Sequence, residues 1–113
     1  MTTQEALGGF QQLVLLAVLR LGEQAYGAEI QRDIEETAGR SVSISTIYVT
    51  LDRLQRRGLV VSWLGEPTGV RGGKSKRFYE LTAEGRETLH ATREQLERMW
   101  HGLQTGPESG RTR

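Results

Sequence analysis

The segment from Leu7 to Leu21 is apolar around most of a helix circumference, and this limits the folds open to the chain. One stripe along it carries Leu7, Phe10, Val14, Ala17 and Leu21, at the spacing of a helix. The run LVLLAVL at residues 13–19 fills most of the remaining surface. A helix that is apolar nearly all round must be covered on more than one side. We expect a second copy of the chain to supply part of that cover; the alternative is the central helix of a monomer.

The composition excludes several classes of function. The chain has no cysteine, so disulfides, thiolate zinc sites and cysteine nucleophiles are excluded. The two histidines, His90 and His101, are eleven residues apart, which on a helix is about 16 Å and too far to share one metal ion. No nucleophile is paired with a base in the sequence pattern. We therefore predict a protein that is not an enzyme and has no cofactor or metal.

The sequence also predicts a cytoplasmic protein without a membrane partner. The start, MTTQEALGGF, lacks the basic and apolar regions of a secretory signal. The longest apolar run has seven residues, whereas a membrane-spanning helix needs about 20.

Positive charge is concentrated in the middle third of the chain. Residues 40–77 carry eight basic and two acidic side chains, a balance of +6, although the whole chain has a formal net charge of only +1. The densest part is RGGKSKRFY at residues 71–79, which holds no acid and four cations, Arg71, Lys74, Lys76 and Arg77. A localised basic segment of this kind is typical of a protein that binds a polyanion.

A helix with two different faces is predicted after a second, thinner helix that spans residues 25–38 and stops at Gly39. Ser43 or Ser45 can cap it, and Gly58 is its natural stop. At 100° per residue, the inner face carries Ile44, Ile47, Leu51 and Leu54, with Tyr48 at its edge. The predicted outer face is short, rich in hydroxyl groups and closed by arginines: Ser45, Thr46, Val49, Thr50, Arg53 and Arg57.

A hairpin and a last helix complete the predicted order. Residues 59–64 and 77–81 have strand composition, and the residues between them, GEPTGVRGGKSK, are typical of a long loop. Thr82 is a good N-cap for the helix that follows. In this helix Leu89, Leu96 and Leu103 recur every seven residues, with Met99 and Trp100 between them, an edge suited to packing on another helix. We expect the tail, residues 105–113, to be disordered.

The basic hairpin loop has three possible interpretations. A phosphate-binding P-loop is excluded because its glycine spacing is absent and a strand, not a helix, follows the Gly-Lys-Ser of residues 73–75. A merely solvated loop remains possible, although such loops usually mix charges of both signs. The third interpretation is a wing whose cations neutralise DNA phosphates. The neighbouring helix favours it, since short side chains let a helix enter the major groove. The sequence thus predicts a mainly α fold with a small β-hairpin, a winged helix-turn-helix.

The same residues resemble the PadR-like family of transcriptional regulators over residues 7–103. The resemblance is carried by LVLLAVLRLGEQAYGAEI (13–30), SISTIYVTLDRLQRRGLV (43–60) and RGGKSKRFYELTAEGRETL (71–89). It implies a homodimeric winged-helix protein that binds double-stranded DNA, usually as a repressor, and the single last helix resembles the short subfamily. The first and last helices would form the dimer interface, through Leu7, Phe10, Leu13, Val14, Leu89, Leu96, Met99, Trp100 and Leu103.

The resemblance also implies a division of the chain and a set of DNA contacts. Residues 1–81 would form the DNA-binding domain, with the recognition helix at 45–57 and the wing at 60–81, and residues 82–104 the C-terminal dimerisation helix. Gln55 stands where many members have an acid, so a contact made by that acid does not carry over. The expected DNA-binding residues are Ser43, Ser45, Thr46, Tyr48, Val49, Thr50, Arg53, Arg71, Lys74, Lys76 and Arg77.

Two further expectations concern partners. Some members of the short subfamily bind flat aromatic or cationic compounds between the subunits, so the resemblance implies a small aromatic ligand against Trp100; a plain interface aromatic is the alternative. Trp63 is expected to pack against the helices. A protein-interaction adaptor with an incidental hairpin, or a winged helix that binds RNA, would be the other functional classes. Two subunits on one face of DNA would place their recognition helices about 34 Å apart and read an inverted repeat.

Overall fold

The computed structural model describes residues 6–66 and 75–103, and in that part of the chain four helices and two strands form the fold. The elements are α1 Gly9–Leu21, α2 Gly27–Asp33, α3 Ile44–Arg56, β1 Val60–Leu64, β2 Arg77–Leu81 and α4 Ala83–Trp100. A short 3₁₀ turn, Gly22–Gln24, follows α1, and a π-helical turn, Ile34–Ala38, extends α2. The mainly α architecture with one β-hairpin is therefore confirmed.

The ends of the helices follow from local chemistry. The extension of α2 stops at Gly39, whose φ of 68° lies in the left-handed region that favours glycine. Helix α3 begins after Ser43, whose hydroxyl accepts a hydrogen bond from the Thr46 N–H at 3.2 Å. Helix α4 begins after Thr82 in the same way, with the Gly85 N–H as donor at 2.9 Å. The predicted caps at Ser43 and Thr82 are confirmed.

The core lies where α1 packs against α2, α3 and the hairpin. The largest fully buried side chains come from α1, α2, α3 and the start of the hairpin: Val14, Leu15, Ile30, Ile47, Leu51, Leu54, Leu59 and Val60. Helix α1 is buried on only part of its surface, because Leu16 and Leu19 remain exposed. The fold of one subunit therefore leaves part of the apolar circumference of α1 uncovered.

A third stretch of backbone joins the hairpin. Strands β1 and β2 pair antiparallel, in a register that places Val60 opposite Leu81 and Trp63 opposite Phe78. Tyr26 forms an isolated bridge with Phe78, and the Tyr79 N–H donates to the Ala25 carbonyl at 2.9 Å. The hairpin is thereby fixed to the segment that begins α2, a contact that no pattern in the sequence predicted.

Several predicted boundaries and surfaces need correction. Helix α1 begins at Gly9, so Leu7 precedes it, and Leu7 and Val14 are buried in the subunit core. Both side chains belong to the hydrophobic core cluster, so they have almost no surface left for a second subunit. Leu89 is also buried. Helix α4 ends at Trp100, and Leu103 lies beyond it. The predicted disordered tail, residues 105–113, lies outside the described residues.

Trp63 was expected to pack against the helices, but it is exposed and only borders a pocket that Val18 and Leu19 of α1 also line. Its ring stacks on Phe78 at a centroid distance of 6.2 Å, and Phe78 meets Tyr26 edge to face at 5.5 Å. Side chains alternate between the two faces of β1, and Trp63 lies on the face opposite the buried Val60. Trp63 therefore remains exposed. Within the described residues, no helix is long and apolar enough to cross a membrane.

Candidate nucleic-acid interface

Hydroxyl groups cluster at the N-terminus of α3. The Ser43 hydroxyl caps the helix and also lies 3.1 Å from the Ser45 hydroxyl and 2.9 Å from that of Thr46. All three residues are exposed. Because hydroxyls both donate and accept hydrogen bonds, the first turn of α3 presents a small polar surface suited to phosphate oxygens or base edges.

A line of exposed residues runs along α3 from this cluster. Its members are spaced by four, three and four residues, so they lie above one another on the helix, and all are exposed: Ser45, Val49, Asp52 and Arg56. Thr46 and Arg53 lie on one side of this central ridge, and Tyr48 and Gln55 lie on the other. Asp52 and Arg56 were not among the predicted site residues, although their spacing from Ser45 and Val49 would have identified them.

The prediction that Thr50 lies on the outer face is wrong. Thr50 is only 8% exposed. The buried face of α3 is centred between Ile47 and Leu54, and this centre lies closer to Thr50 than the centre that the apolar pattern predicted. Ile44, predicted to be buried, is exposed for the same reason. The observed inner face of α3 is therefore rotated about the helix axis, by part of a turn, from the predicted one. Thr50 is not part of the ridge.

Helices α2 and α3 approach closely at Tyr48 and Gly27. A Cβ atom on Gly27 would overlap the Tyr48 hydroxyl and ring, so a larger residue at the start of α2 would require Tyr48 to move. The Tyr48 ring is nevertheless about half exposed. This contact fixes the helix pair and leaves one side of Tyr48 at the surface beside the ridge.

The described stem of the hairpin carries two of the four predicted wing cations. The Lys76 ammonium lies 4.8 Å from the centre of the Tyr26 ring, a cation–π distance. The Arg77 guanidinium donates to the Ser62 hydroxyl at 2.9 Å, and this hydroxyl donates to the Gln55 side-chain oxygen at 2.8 Å. Arg77 is thus connected to α3 through Ser62. Arg71 and Lys74 lie outside the described residues.

A groove of about 500 Å³ lies between α3 and the hairpin, and every side chain that lines it carries a polar group. It is lined by Tyr48, Asp52, Gln55, Ser62, Arg77 and Tyr79. Burial raises the pKa of the Tyr79 phenol, so this hydroxyl stays neutral at physiological pH. No sequence pattern pointed to Ser62, because it links Arg77 to Gln55 only when the two strands are paired. The ridge, the groove and the stem cations together form one polar surface, which we call the α3–wing surface.

A second, apolar groove lies on another part of the molecule, between α1 and α4. It measures about 270 Å³, and its apolar lining comprises Leu16, Leu19, Leu89, Leu96 and Trp100. Of the predicted interface residues, Leu96, Met99, Trp100 and Leu103 are exposed, and Phe10 and Leu13 are partly buried against the core. The structure thus brings α1 and α4 together, as the prediction of a shared surface requires.

The helix pair, the exposed ridge of α3 and the hairpin fixed beside it define a winged helix-turn-helix protein of the DNA-binding class. The model of the transcriptional regulator PadR-like family matches residues 15–91, so the chain belongs to this family. It is a DNA-binding transcriptional regulator, and regulators of this family are not enzymes.

Solved structures agree with this assignment. A transcriptional regulator from Clostridium thermocellum is 25% identical, with a TM-score of 0.65, over 80% of this chain and 84% of that chain. A PadR family regulator from Eggerthella lenta is 27% identical, with a TM-score of 0.65, over 80% and 77%. A third, from Clostridium difficile, is 28% identical, with a TM-score of 0.59, over 80% and 90%. No curated protein matches the chain.

Proposed function

We propose that the protein is a homodimeric repressor that binds an inverted-repeat operator. Each subunit would place α3 in the major groove and its wing on the backbone or in the minor groove. The observation that carries this proposal is the presence of two separate surfaces on one subunit. The α3–wing surface is polar and suited to DNA, whereas the groove between α1 and α4 is apolar and suited to a second copy.

The C-terminal half of α4 supports the dimer. Helix α4 has 18 residues, about 27 Å at 1.5 Å per residue, and its buried residues, Gly85, Thr88 and Leu89, all lie in the first half. Beyond them, Leu96 is 47% exposed, Met99 77% and Trp100 57%. Large apolar side chains that share an exposed edge mark a protein–protein interface. A second α4 packed along this edge would cover them, together with Leu16 and Leu19 of α1.

The ridge of α3 supports binding in the major groove. In its N-terminal half the ridge carries Ser45 and Val49, with Thr46 beside it, and short side chains let the helix backbone come close to the base edges. Arg53 lies farther along, where a longer side chain can reach the phosphates. The proposed contacts are Ser43, Ser45, Thr46, Tyr48, Val49, Arg53, Lys76 and Arg77, with Arg71 and Lys74 added from the sequence; Thr50 is omitted because it is buried.

Release of the operator by a small aromatic ligand is a further part of the proposal. Its support is the exposed indole of Trp100 beside the apolar groove between α1 and α4. In a dimer, two such grooves would lie near the twofold axis. Titration of a planar aromatic compound, followed by Trp100 fluorescence, would test this part, with Trp100→Phe as the control for the signal of Trp63. Unchanged fluorescence across a panel of such compounds would contradict it.

Selection of bound duplexes from a random pool tests the main proposal. We expect an enriched inverted repeat with half-site centres about 34 Å apart, one turn of DNA. A promoter that overlaps the selected site should then give less transcript in vitro when the protein is added. A pool without any enriched sequence would contradict operator reading and favour the adaptor. A single half-site without a repeat would contradict the dimer.

A further inference from the structure

An acidic side chain lies in the middle of the surface that faces DNA in the proposed function. Asp52 follows Val49 and precedes Arg56 on the central ridge of α3, and its side chain is 58% exposed. A carboxylate at this position repels phosphates and lowers affinity for any duplex. Such a charge is tolerable on a DNA-reading ridge if the carboxylate meets a hydrogen-bond donor on the DNA itself.

The local contacts leave the Asp52 carboxylate able to accept a hydrogen bond from DNA. Its Oδ2 atom forms an ion pair with Arg56, 2.9 Å from the Nη2 atom one turn along the helix. Exposed ion pairs of this kind hold their partners weakly. No hydrogen bond to Oδ1 is found among residues 6–66 and 75–103. The other polar groups near Asp52, across the groove from α3, belong to Ser62, Arg77 and Tyr79, and of these Arg77 is already bonded to Ser62.

The chemistry of the major groove restricts what an ionised carboxylate can contact there. A carboxylate only accepts hydrogen bonds, and the only donors on the base edges in this groove are the amino groups of cytosine and adenine. Guanine offers O6 and N7, and thymine offers O4 and a methyl group, so neither can donate to it. An acceptor beside an arginine complements a C·G pair, in which the cytosine amine lies next to two acceptors of guanine.

We propose that Asp52 is a specificity-determining residue that accepts a hydrogen bond from the amino group of one base in each half-site. Cytosine is the base that best suits the Asp52–Arg56 pair, and adenine carries the same donor chemistry. This inference rests on the proposed insertion of α3 into the major groove. It goes beyond that proposal because it assigns one residue to one kind of base and explains why an acid occupies the ridge.

If Asp52 had a purely structural role, a different result would be expected. An Asp–Arg pair four residues apart can simply stabilise α3. Its loss would then weaken binding to all sequences by a similar factor and leave the order of preference among bases unchanged. The two roles are therefore separated by base preference at single positions and not by overall affinity.

The test is selection from a random duplex pool with the parent, Asp52→Ala, Asp52→Asn and the control Glu87→Gln. Glu87 is an exposed acid on the side of α4 opposite Leu89, so its change alters charge away from DNA. In the parent, we expect one position per half-site with about a tenfold preference for cytosine or adenine; which base is enriched distinguishes the two donors. Asp52→Ala should reduce this preference to about twofold or less and leave the other positions unchanged.

The Asp52→Asn variant, and the affinity of both Asp52 variants for unselected duplex, provide two further tests. The asparagine amide would offer a donor as well as an acceptor, so Asp52→Asn should admit guanine or thymine at that position. Both variants should bind unselected duplex several-fold more tightly, because a negative charge is removed. A motif identical to that of the parent, or a uniform loss at every position, would overturn the role of Asp52 and leave the proposed function standing. A parent that enriches no motif would overturn both.

Discussion

Position 85 requires glycine because the backbone of Leu59 lies close to it, and not because of its own backbone angles. It lies in the first turn of α4 and is buried, and a Cβ atom there would overlap the carbonyl oxygen of Leu59. A backbone atom cannot move aside as a flexible side chain can. The Leu59 carbonyl also accepts from the Thr82 N–H at 3.0 Å, so a shift of one contact would disturb the other.

We therefore expect Gly85→Ala to lower the free energy of unfolding by about 1–3 kcal/mol, as overpacking does in a dense core. Gly9→Ala is the control, since nothing lies within 4 Å of its added Cβ. Alanine has the higher helix propensity, so that variant should be neutral or stabilised by less than about 1 kcal/mol. The midpoints of urea unfolding measure both changes. Equal midpoints for the two variants would show that Leu59 does not confine Gly85.

An ion pair between α1 and α2 makes stability depend on pH. The Asp33 carboxylate accepts from Arg20 Nε at 2.9 Å and from the Thr37 hydroxyl at 3.1 Å. The hydrogen bond from Arg20 is the main reason that the pKa of Asp33 lies below its ordinary value. The folded state therefore binds the Asp33 proton more weakly than the unfolded chain does. The stabilisation is complete above the unfolded pKa of about 4 and is lost as the pH falls through the lower folded pKa.

Asp33→Asn should thus be less stable than the parent at pH 7, and the difference between the two should shrink below about pH 4. Arg20→Gln removes the same hydrogen bond from the other side and should flatten the same part of the stability curve. Urea unfolding at a series of pH values measures the effect. A difference that stayed constant from pH 7 down to pH 2 would contradict the assignment to Asp33.

At the scale of elements, one threonine joins three of them. Thr82 follows β2, caps α4 through the Gly85 N–H at 2.9 Å, and donates its hydroxyl hydrogen to the Gly58 carbonyl at 2.7 Å. Gly58 closes α3 with a φ of 79°. The end of the proposed recognition helix, the hairpin and the start of α4 therefore meet at a single hydroxyl group.

Replacement of Thr82 by alanine should cost about 1–2 kcal/mol of stability, the upper part of the range for an N-cap, because the Gly58 carbonyl loses a donor as well. Thr82→Ser keeps the hydroxyl and should recover most of this loss. The comparison of the two variants by thermal or urea unfolding separates the hydroxyl from the methyl group. If serine were as destabilising as alanine, the methyl group and not the cap would be responsible.

The elements show which parts of this molecule a sequence can reveal. The caps at Ser43 and Thr82, the stop at Gly39 and both strands were predictable, because each depends on residues within a few positions. The bridge between Tyr26 and Phe78 depends on backbones 52 residues apart and has no local signal. The same limit applies to the proposed site. Its basic and hydroxyl-rich residues were visible, but the rotation of α3 that buries Thr50 is set by packing against the other helices.

At the scale of the whole molecule, the proposed dimer can be tested at one position. Leu96 lies in the exposed half of α4, outside the subunit core, so Leu96→Glu should leave the subunit folded. Burying the added carboxylate against a second copy would be costly. We expect the variant to sediment as a monomer where the parent is a dimer, and to bind a two-half-site duplex at least about 100-fold more weakly.

Leu64→Glu is the matched control for the mass measurement. Leu64 is also a leucine exposed at the surface, at 61%, but it lies at the end of β1, away from α4. The variant should keep the mass of the parent. Loss of the dimer in both variants would indicate a general effect of surface charge, and a dimer in both would place the interface elsewhere.

Salt dependence measures how much of the basic segment contacts DNA in the complete dimer. Four wing cations per subunit give eight phosphate contacts and a slope of log affinity against log salt of about −7. Lys76→Ala with Arg77→Ala removes half of these cations, so the slope should fall to about −4. Arg98→Ala removes an exposed cation in the last turn of α4 and should leave the slope unchanged.

Because Arg77 also bonds Ser62, thermal unfolding of the double variant must first show an intact fold. A parental slope in the double variant would mean that Lys76 and Arg77 support the hairpin stem and do not contact the phosphates.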